Sequence, residues 1–194
     1  MKKTNRELQK EQTKALLVKT AYEVFSEKGI MNTRISDITQ AAGVSHGTIF
    51  VHFPSMDALI EEVVAFFGQK IALRTHELAS SCGSLSELLR AHLDGIMEFE
   101  SFYTRLIIEN RFLPLGARDC FISIQSAISL HFSQAARDAQ ITGIPTYMLF
   151  NMWVGLVHYY LSNGDLFAPE GNVISHCGEA LIQNYLKLLK GGNI

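Results

Sequence analysis

The sequence predicts an all-α fold of about nine helices, with a three-helix head followed by a longer helical body. Three observations point to it. Apolar residues recur at three- and four-residue spacing through most of the chain, and no stretch shows the two-residue alternation of a half-buried strand. The breaks between these stretches fall at glycine, proline and serine groups. At 194 residues and 47% apolar composition, the chain is long enough to bury a sizeable core.

The polar N-terminus carries Lys2, Lys3, Arg6 and Lys10, which suits either a loose basic arm or a frayed end. From Gln12 to Lys28, Leu17, Ala21, Val24 and Phe25 lie on one helical face, and Gly29 ends the run. Ser36 is placed to cap the next helix, with Asp37 in its first turn favoured by the helix dipole. Gly43 supplies the turn, because a left-handed residue costs least without a Cβ. Ser45 caps the following helix. It runs to about Phe53, since Pro54 restricts its predecessor and has no amide hydrogen. Ser55 caps the helix after that, Met56 to about Ser80, with Leu59, Ile60, Val63, Val64, Phe67, Ile71 and Leu78 as its apolar residues.

Ser80 to Ser84 breaks that long helix, and Leu85 to Glu100 forms another. Phe102 to Leu113 is a short helix stopped by Pro114, and Arg118 to Gln140 is read as a single helix ended by Gly143-Ile144-Pro145. Two last helices span Thr146 to Ser162 and Val173 to Lys190, separated by Asn163-Gly164-Asp165 and Pro169.

Helix, glycine turn and helix between Arg34 and Asp57 form a helix-turn-helix pattern, whose second member enters the major groove of DNA. Ile49 and Phe53 share one face of that member and would pack inward. The opposite face carries Gly47, Thr48 and Val51, with Phe50 at its edge. Such small or apolar groups allow close approach to bases, and threonine or apolar side chains can touch a thymine methyl. The same spacing fits a capped helical hairpin buried in an all-helical protein. Formal charge is −2, which argues against a uniformly basic nucleic-acid binder. It is unevenly spread, with eight Lys/Arg against five Asp/Glu in residues 1–54 and nine against fourteen beyond.

Gly43-Val44-Ser45-His46-Gly47-Thr48-Ile49-Phe50-Val51-His52-Phe53-Pro54-Ser55 closely resembles the signature of the TetR family of bacterial transcriptional regulators, whose common core is Gly-Thr-Leu-Tyr-x-His-Phe. The likeness extends back through Ala15, Ala21, Phe25, Gly29, Ile38 and Ala41 to Gly43, and covers roughly residues 12–68. It implies an N-terminal DNA-binding domain over residues 1–55 and a C-terminal helical ligand-binding and dimerisation domain over 56–194. It also implies that Gly47, Thr48 and Phe50 approach bases, and that Ser45, Val51, His52 and Ser55 lie nearer the backbone. Arg34, Ser36 and His46 complete the DNA-binding set. Two departures stand out. Tyrosine is usual in the family at Phe50 and frequent at Val51, and many members carry lysine at Met56, so fewer groups here reach phosphate.

A second set suits a small-molecule site, being apolar with a few polar groups: Phe99, Phe102, Tyr103, Leu106, Ile107, Asn110, His131, Met148, Asn151, Met152 and Trp153. An ordinary core has the same composition, and the polar members need partners in either case. The resemblance implies that the last two helices pair with their copies in a second subunit. Ile174, Cys177, Gly178, Leu181 and Tyr185 make one stripe of the last helix, and Gly155 allows close approach on its neighbour. An intramolecular core stripe would show the same spacing.

Other chemistry is not indicated. Cys82, Cys120 and Cys177 lie outside any C-x-x-C motif, which fits reduced thiols in a cytoplasmic protein. No apolar signal region follows Met1-Lys2-Lys3, and the run Met148 to Leu161, interrupted by Asn151 and His158, is too short to cross a bilayer. There is no G-x-S-x-G, no phosphate-binding glycine loop and no H-E-x-x-H. His46, His52, His76, His92, His131, His158 and His176 are scattered, so neither a catalytic centre, a metal site nor a cofactor is expected. The leading expectation is a homodimeric repressor that binds a palindromic double-stranded operator and is released by a small, largely apolar effector, without a membrane partner. The alternative is an all-helical ligand carrier or small metabolic enzyme whose helical hairpin is structural.

Overall fold

The computed structural model describes residues 4–190, and all regular structure among them is helical. In chain order the helices are α1 (Asn5–Lys28), α2 (Ile35–Ala42), α3 (His46–His52), α4 (Met56–Ala79), α5 (Leu85–Met97) and α6 (Glu100–Glu109). A 3-10 turn (Asn110–Phe112) follows, then α7 (Leu115–Ser126), α8 (Ser129–Asp138), α9 (Thr146–Ser162), α10 (Gly164–Phe167) and α11 (Val173–Lys190). No helix is long and apolar enough to cross a membrane among the described residues.

The chain forms two compact units, one from residues up to Gly68 together with Glu109–Phe121, the other from Gln69–Ile108 together with the residues from Ile122 onward. The expected boundary after residue 55 thus falls inside the first unit. Residues 56–68 of α4 contribute Leu59, Ile60, Val63, Val64 and Phe67 to the buried set. The Phe67 ring stacks on Tyr22 of α1 at 3.7 Å, which makes the start of α4 part of the head's own core.

In the first unit, α1 begins seven residues before the expected Gln12. A capping box explains the extra turns: the Thr4 hydroxyl accepts from the Glu7 amide at 3.3 Å, and the Glu7 carboxylate accepts from the Thr4 amide at 2.7 Å. Arg6 and Lys10 therefore stand on an ordered helix and not on a loose arm, while Lys2 and Lys3 lie outside the described residues. The start of α2 also differs from expectation. Ser36 lies within the helix, and Arg34 holds the cap position without a side-chain cap bond. Asp37 replaces that bond, its carboxylate accepting from the Arg34 amide at 2.8 Å and from the Lys28 ammonium at 3.1 Å.

In the second unit, Leu88, Leu89, Leu93, Ile96, Phe102, Leu106, Phe132, Leu149, Trp153 and Val157 fill the core. The segment read as one helix from Arg118 to Gln140 is two. Around the break the Ser126 hydroxyl bonds the Ile122 carbonyl, the Ser129 hydroxyl bonds the Ser126 carbonyl, and the Ala127 amide turns back to Ile124. These local bonds compete with the helical ladder. α5 ends at Met97, three residues before the expected Glu100. Glu100 instead opens α6, and its buried carboxylate accepts from the amides of Val173 and Ile174 at 2.7 and 3.0 Å. That carboxylate satisfies orphan donors at the start of α11.

Candidate nucleic-acid interface

The site is built by the turn between α2 and α3. Gly43 adopts the left-handed conformation at φ 66°, ψ 30°, and the Val44 amide returns to the Thr39 carbonyl at 3.1 Å, closing the C-terminus of α2. Ser45 then starts α3. Its hydroxyl accepts from the Thr48 amide at 3.2 Å and lies 2.8 Å from the Thr48 hydroxyl. Ile49 and Phe53 are buried, which fixes the rotation of α3 about its axis.

That rotation turns the other residues of α3 outward. Ser45, His46 and Gly47 are exposed, Thr48 and His52 are half-buried, and Phe50 and Val51 keep 46% and 67% of their surface in solvent. Large apolar groups at such exposure on a short capped helix suit contact with a partner surface. The His46 ring meets Phe50 edge-on at 5.4 Å. Arg34 and Ser36 are exposed beside α2, and Ser55 is engaged as the cap of α4, its hydroxyl accepting from the Ala58 amide at 3.1 Å.

Electrostatics add a feature that spacing did not disclose. Arg6, Glu7, Gln9, Lys10 and Thr13 of α1 stand beside Val51 and His52 along an open groove of about 490 Å³, two cations against one carboxylate that is engaged in the helix cap. Burial, with Lys10 and Lys14 nearby, holds the His52 imidazole below its ordinary value, which favours the neutral ring with one N–H to donate. The signal that would have found α1's part was the Thr4-x-x-Glu7 pattern, which orders the basic N-terminal turns. On another side of α1, Lys14 pairs with Glu62 at 2.6 Å and stands over the Phe53 ring at 5.6 Å, anchoring α1 to α4.

The residues expected to line one ligand site separate into several environments. Phe99, Phe102, Tyr103, Leu106 and Trp153 are buried, and Ile107 is half-buried. The Trp153 indole N–H donates to His92 Nδ1 at 2.9 Å, and the Tyr103 hydroxyl lies 3.0 Å from His158 Nε2. Burial pushes both imidazoles down to about 4, His158 adding to the effect on His92, and raises the Tyr103 hydroxyl. Met148, Asn151 and Met152 face the other way on α9, the two methionines being 48% and 51% exposed. The cause is helical phase: Leu149, Trp153, Val157 and Leu161 take the inward stripe. His131 of α8 pairs with His76 of α4. Asn110 belongs to the first unit, where its side-chain oxygen is buried and unpartnered among the described residues. A cavity of about 590 Å³ in the second unit includes Met152 together with Leu85, Ile141, Ile144 and Tyr185.

The stripe of the last helix expected at a dimer interface also faces inward. Ile174, Gly178, Leu181 and Tyr185 are buried and Cys177 is half-buried. The Tyr185 hydroxyl donates to the Leu149 carbonyl at 2.7 Å, and a Cβ on Gly178 would stand 3.2 Å from Leu93. The stripe packs within its own unit against α5 and α9. Gly155, by contrast, opens to solvent on the outer face of α9.

A family model described as bacterial regulatory proteins, tetR family, matches residues 17–63. The uncharacterized HTH-type transcriptional regulator YvdT of Bacillus subtilis is 28% identical over 117 residues, which span 60% of this chain and 53% of that protein. The HTH-type transcriptional repressor KstR2 of Rhodococcus jostii is 29% identical over 65 residues, 34% of this chain and 32% of that protein. The chain thus spans about half the length, or less, of these relatives. In fold it is similar to the transcriptional regulator FadR of Bacillus subtilis, solved in complex with stearoyl-CoA, with a TM-score of 0.70 at 18% identity, covering 93% of this chain and 99% of that one.

Proposed function

Because the chain belongs to the TetR family of bacterial regulatory proteins, we propose that it is a sequence-specific DNA-binding transcriptional repressor, released from its operator by a small, largely apolar effector. The observation that carries this reading is the outward face of α3. Buried Ile49 and Phe53 present Gly47, Thr48, Phe50 and Val51 where a helix seated in the major groove meets base edges and thymine methyls. Ser45, His46 and His52, with Arg34, Ser36 and Ser55, flank that face and suit contacts to the sugar-phosphate backbone. Arg6 and Lys10 add charge from α1. Repression is supported by the likeness to KstR2.

The working form is a dimer. Its interface is assigned to the outward face of α9, where Met148, Met152, Gly155 and Tyr159 are exposed at helical spacing. The effector enters the second unit at the cavity of about 590 Å³, where Leu85, Ile141, Ile144 and Tyr185 supply mainly apolar walls beside the Trp153 ring, which lies 5.3 Å from that of Tyr185. An effector that binds the DNA-incompetent state more tightly by about 1–3 kcal/mol lowers operator affinity about 5- to 150-fold.

Selection of genomic fragments on the immobilised protein, followed by titration of each enriched fragment, tests the reading. Enrichment of an inverted repeat, with affinity far above that for random DNA, supports it. Equal retention of all fragments rejects it. Effectors are then screened by Trp153 fluorescence. Compounds that perturb Trp153 yet leave operator affinity unchanged reject induction by those compounds.

A further inference from the structure

Outside the DNA-facing residues and the buried core, two histidines from different helices meet. His76 Nδ1, in the last turn of α4, lies 3.0 Å from His131 Nε2 near the start of α8, with the ring centroids 5.0 Å apart and the planes at 52°. The pair sits at the surface, so the cost of bringing the rings together is not repaid by burial of apolar area. One ring must carry its proton between the two nitrogens for them to bond directly. A metal ion can take the place of that proton once the two rings turn so that both imidazole lone pairs meet on it.

The distance suits this exchange. Two nitrogens each about 2.0–2.1 Å from one ion, and adjacent in its coordination sphere, stand about 2.8–3.4 Å apart. We propose that His76 and His131 form a two-histidine site for a divalent transition metal of the copper, nickel and zinc class. Imidazole suits these ions, whereas magnesium and calcium require oxygen ligands. No group of three or more histidine, cysteine and acidic side chains capable of holding a metal occurs among the described residues, so water completes the coordination sphere. A cavity of about 290 Å³ adjoins His131, lined also by Ser80, Cys82, Gln134 and Asp138, and gives the ion and its water an open approach. Metal bound here ties the end of α4 to α8 within the second unit.

The test is calorimetric titration of Ni2+ and of Zn2+ into the full chain, compared with His76→Gln and His131→Gln. Loss of an outer-shell partner alone costs about 10- to 100-fold in affinity, and loss of one of two direct ligands costs at least that much. The expected result is one equivalent per chain that disappears in either variant, no response to Mg2+, and a metal-dependent rise in melting temperature confined to the wild type. Unchanged stoichiometry and affinity in both variants would overturn the proposal. Both side chains lie at the surface, and circular dichroism establishes that each variant is folded before titration. The measurement uses no DNA, so its outcome is independent of the regulatory reading.

Discussion

Glu109 holds Met31 by its main chain: the carboxylate Oε2 accepts the Met31 amide at 2.6 Å, while Oε1 accepts the neighbouring Ile30 amide at 3.2 Å. Two donors in the loop that leads from α1 to α2 are satisfied by one buried side chain. Gly29 enters that loop at φ 93°, and a Cβ there would stand 2.8 Å from the same carboxylate.

Glu109→Ala leaves those amides without their partner, and hydrogen bonds to a charged group contribute about 1.5–3 kcal/mol each. The expected outcome is a loss of about 2–4 kcal/mol in urea unfolding, with weaker operator binding because the loop positions α2. A change below about 0.5 kcal/mol, typical of an unremarkable surface substitution, would contradict this role.

Gly95 tests the packing of the second unit. A Cβ at that position would fall 2.1 Å from the Thr75 hydroxyl and 2.8 Å from Thr75 Cα, so α4 and α5 approach backbone to backbone. Gly95→Ala should destabilise the fold by about 1–3 kcal/mol, although alanine is the better helix former. A gain in stability, read from the melting temperature, would show that the helices separate at little cost.

Acid should weaken the second unit through its buried histidines. Folded His92 and His158 titrate at about 4, below the ordinary value of 6.5. Between these values the unfolded chain binds protons that the folded chain refuses, so stability is fully present above pH 6.5 and falls as the pH drops through about 4. The loss is on the order of a few kcal/mol, and Trp153 emission should report it because its indole bonds His92. Denaturation midpoints that are equal at pH 7 and pH 4.5 would contradict the assignment.

Two substitutions separate affinity from specificity at the proposed DNA face. Met56 opens α4 beside the Ser55 cap, so Met56→Lys should strengthen binding to all DNA and steepen the salt dependence by about one counterion per subunit. Parallel slopes in titrations at several salt concentrations would exclude that placement. Thr48→Ala should change preference among operator variants more than affinity for random DNA. Equal losses on both would remove Thr48 from base reading.

Local signals carried the head and much of the body. Gly43, Ser45, Pro54 and Ser55 act over a few residues, so the turn, two caps and the inward pair Ile49 and Phe53 could be read from spacing. The start of α1 was equally local, in Thr4 and Glu7, but the density of charge around it read as a solvated end. What spacing could not supply was helical phase against distant partners. On α11 an apolar stripe meets the requirements of either a core or an interface, and only its packing on α5 and α9 decides for the core. The same holds for α9, where Trp153 points in and Met152 points out. His76 and His131, 55 residues apart, meet only in the folded chain.

The most direct test is footprinting of the protein on a selected genomic fragment, with the protein's mass on DNA measured in parallel. Two recognition helices related by a two-fold axis should protect paired half-sites about 34 Å apart, or a multiple of that, in an inverted repeat. Protection of a single site without dyad symmetry, or a stable monomer on DNA, would contradict it.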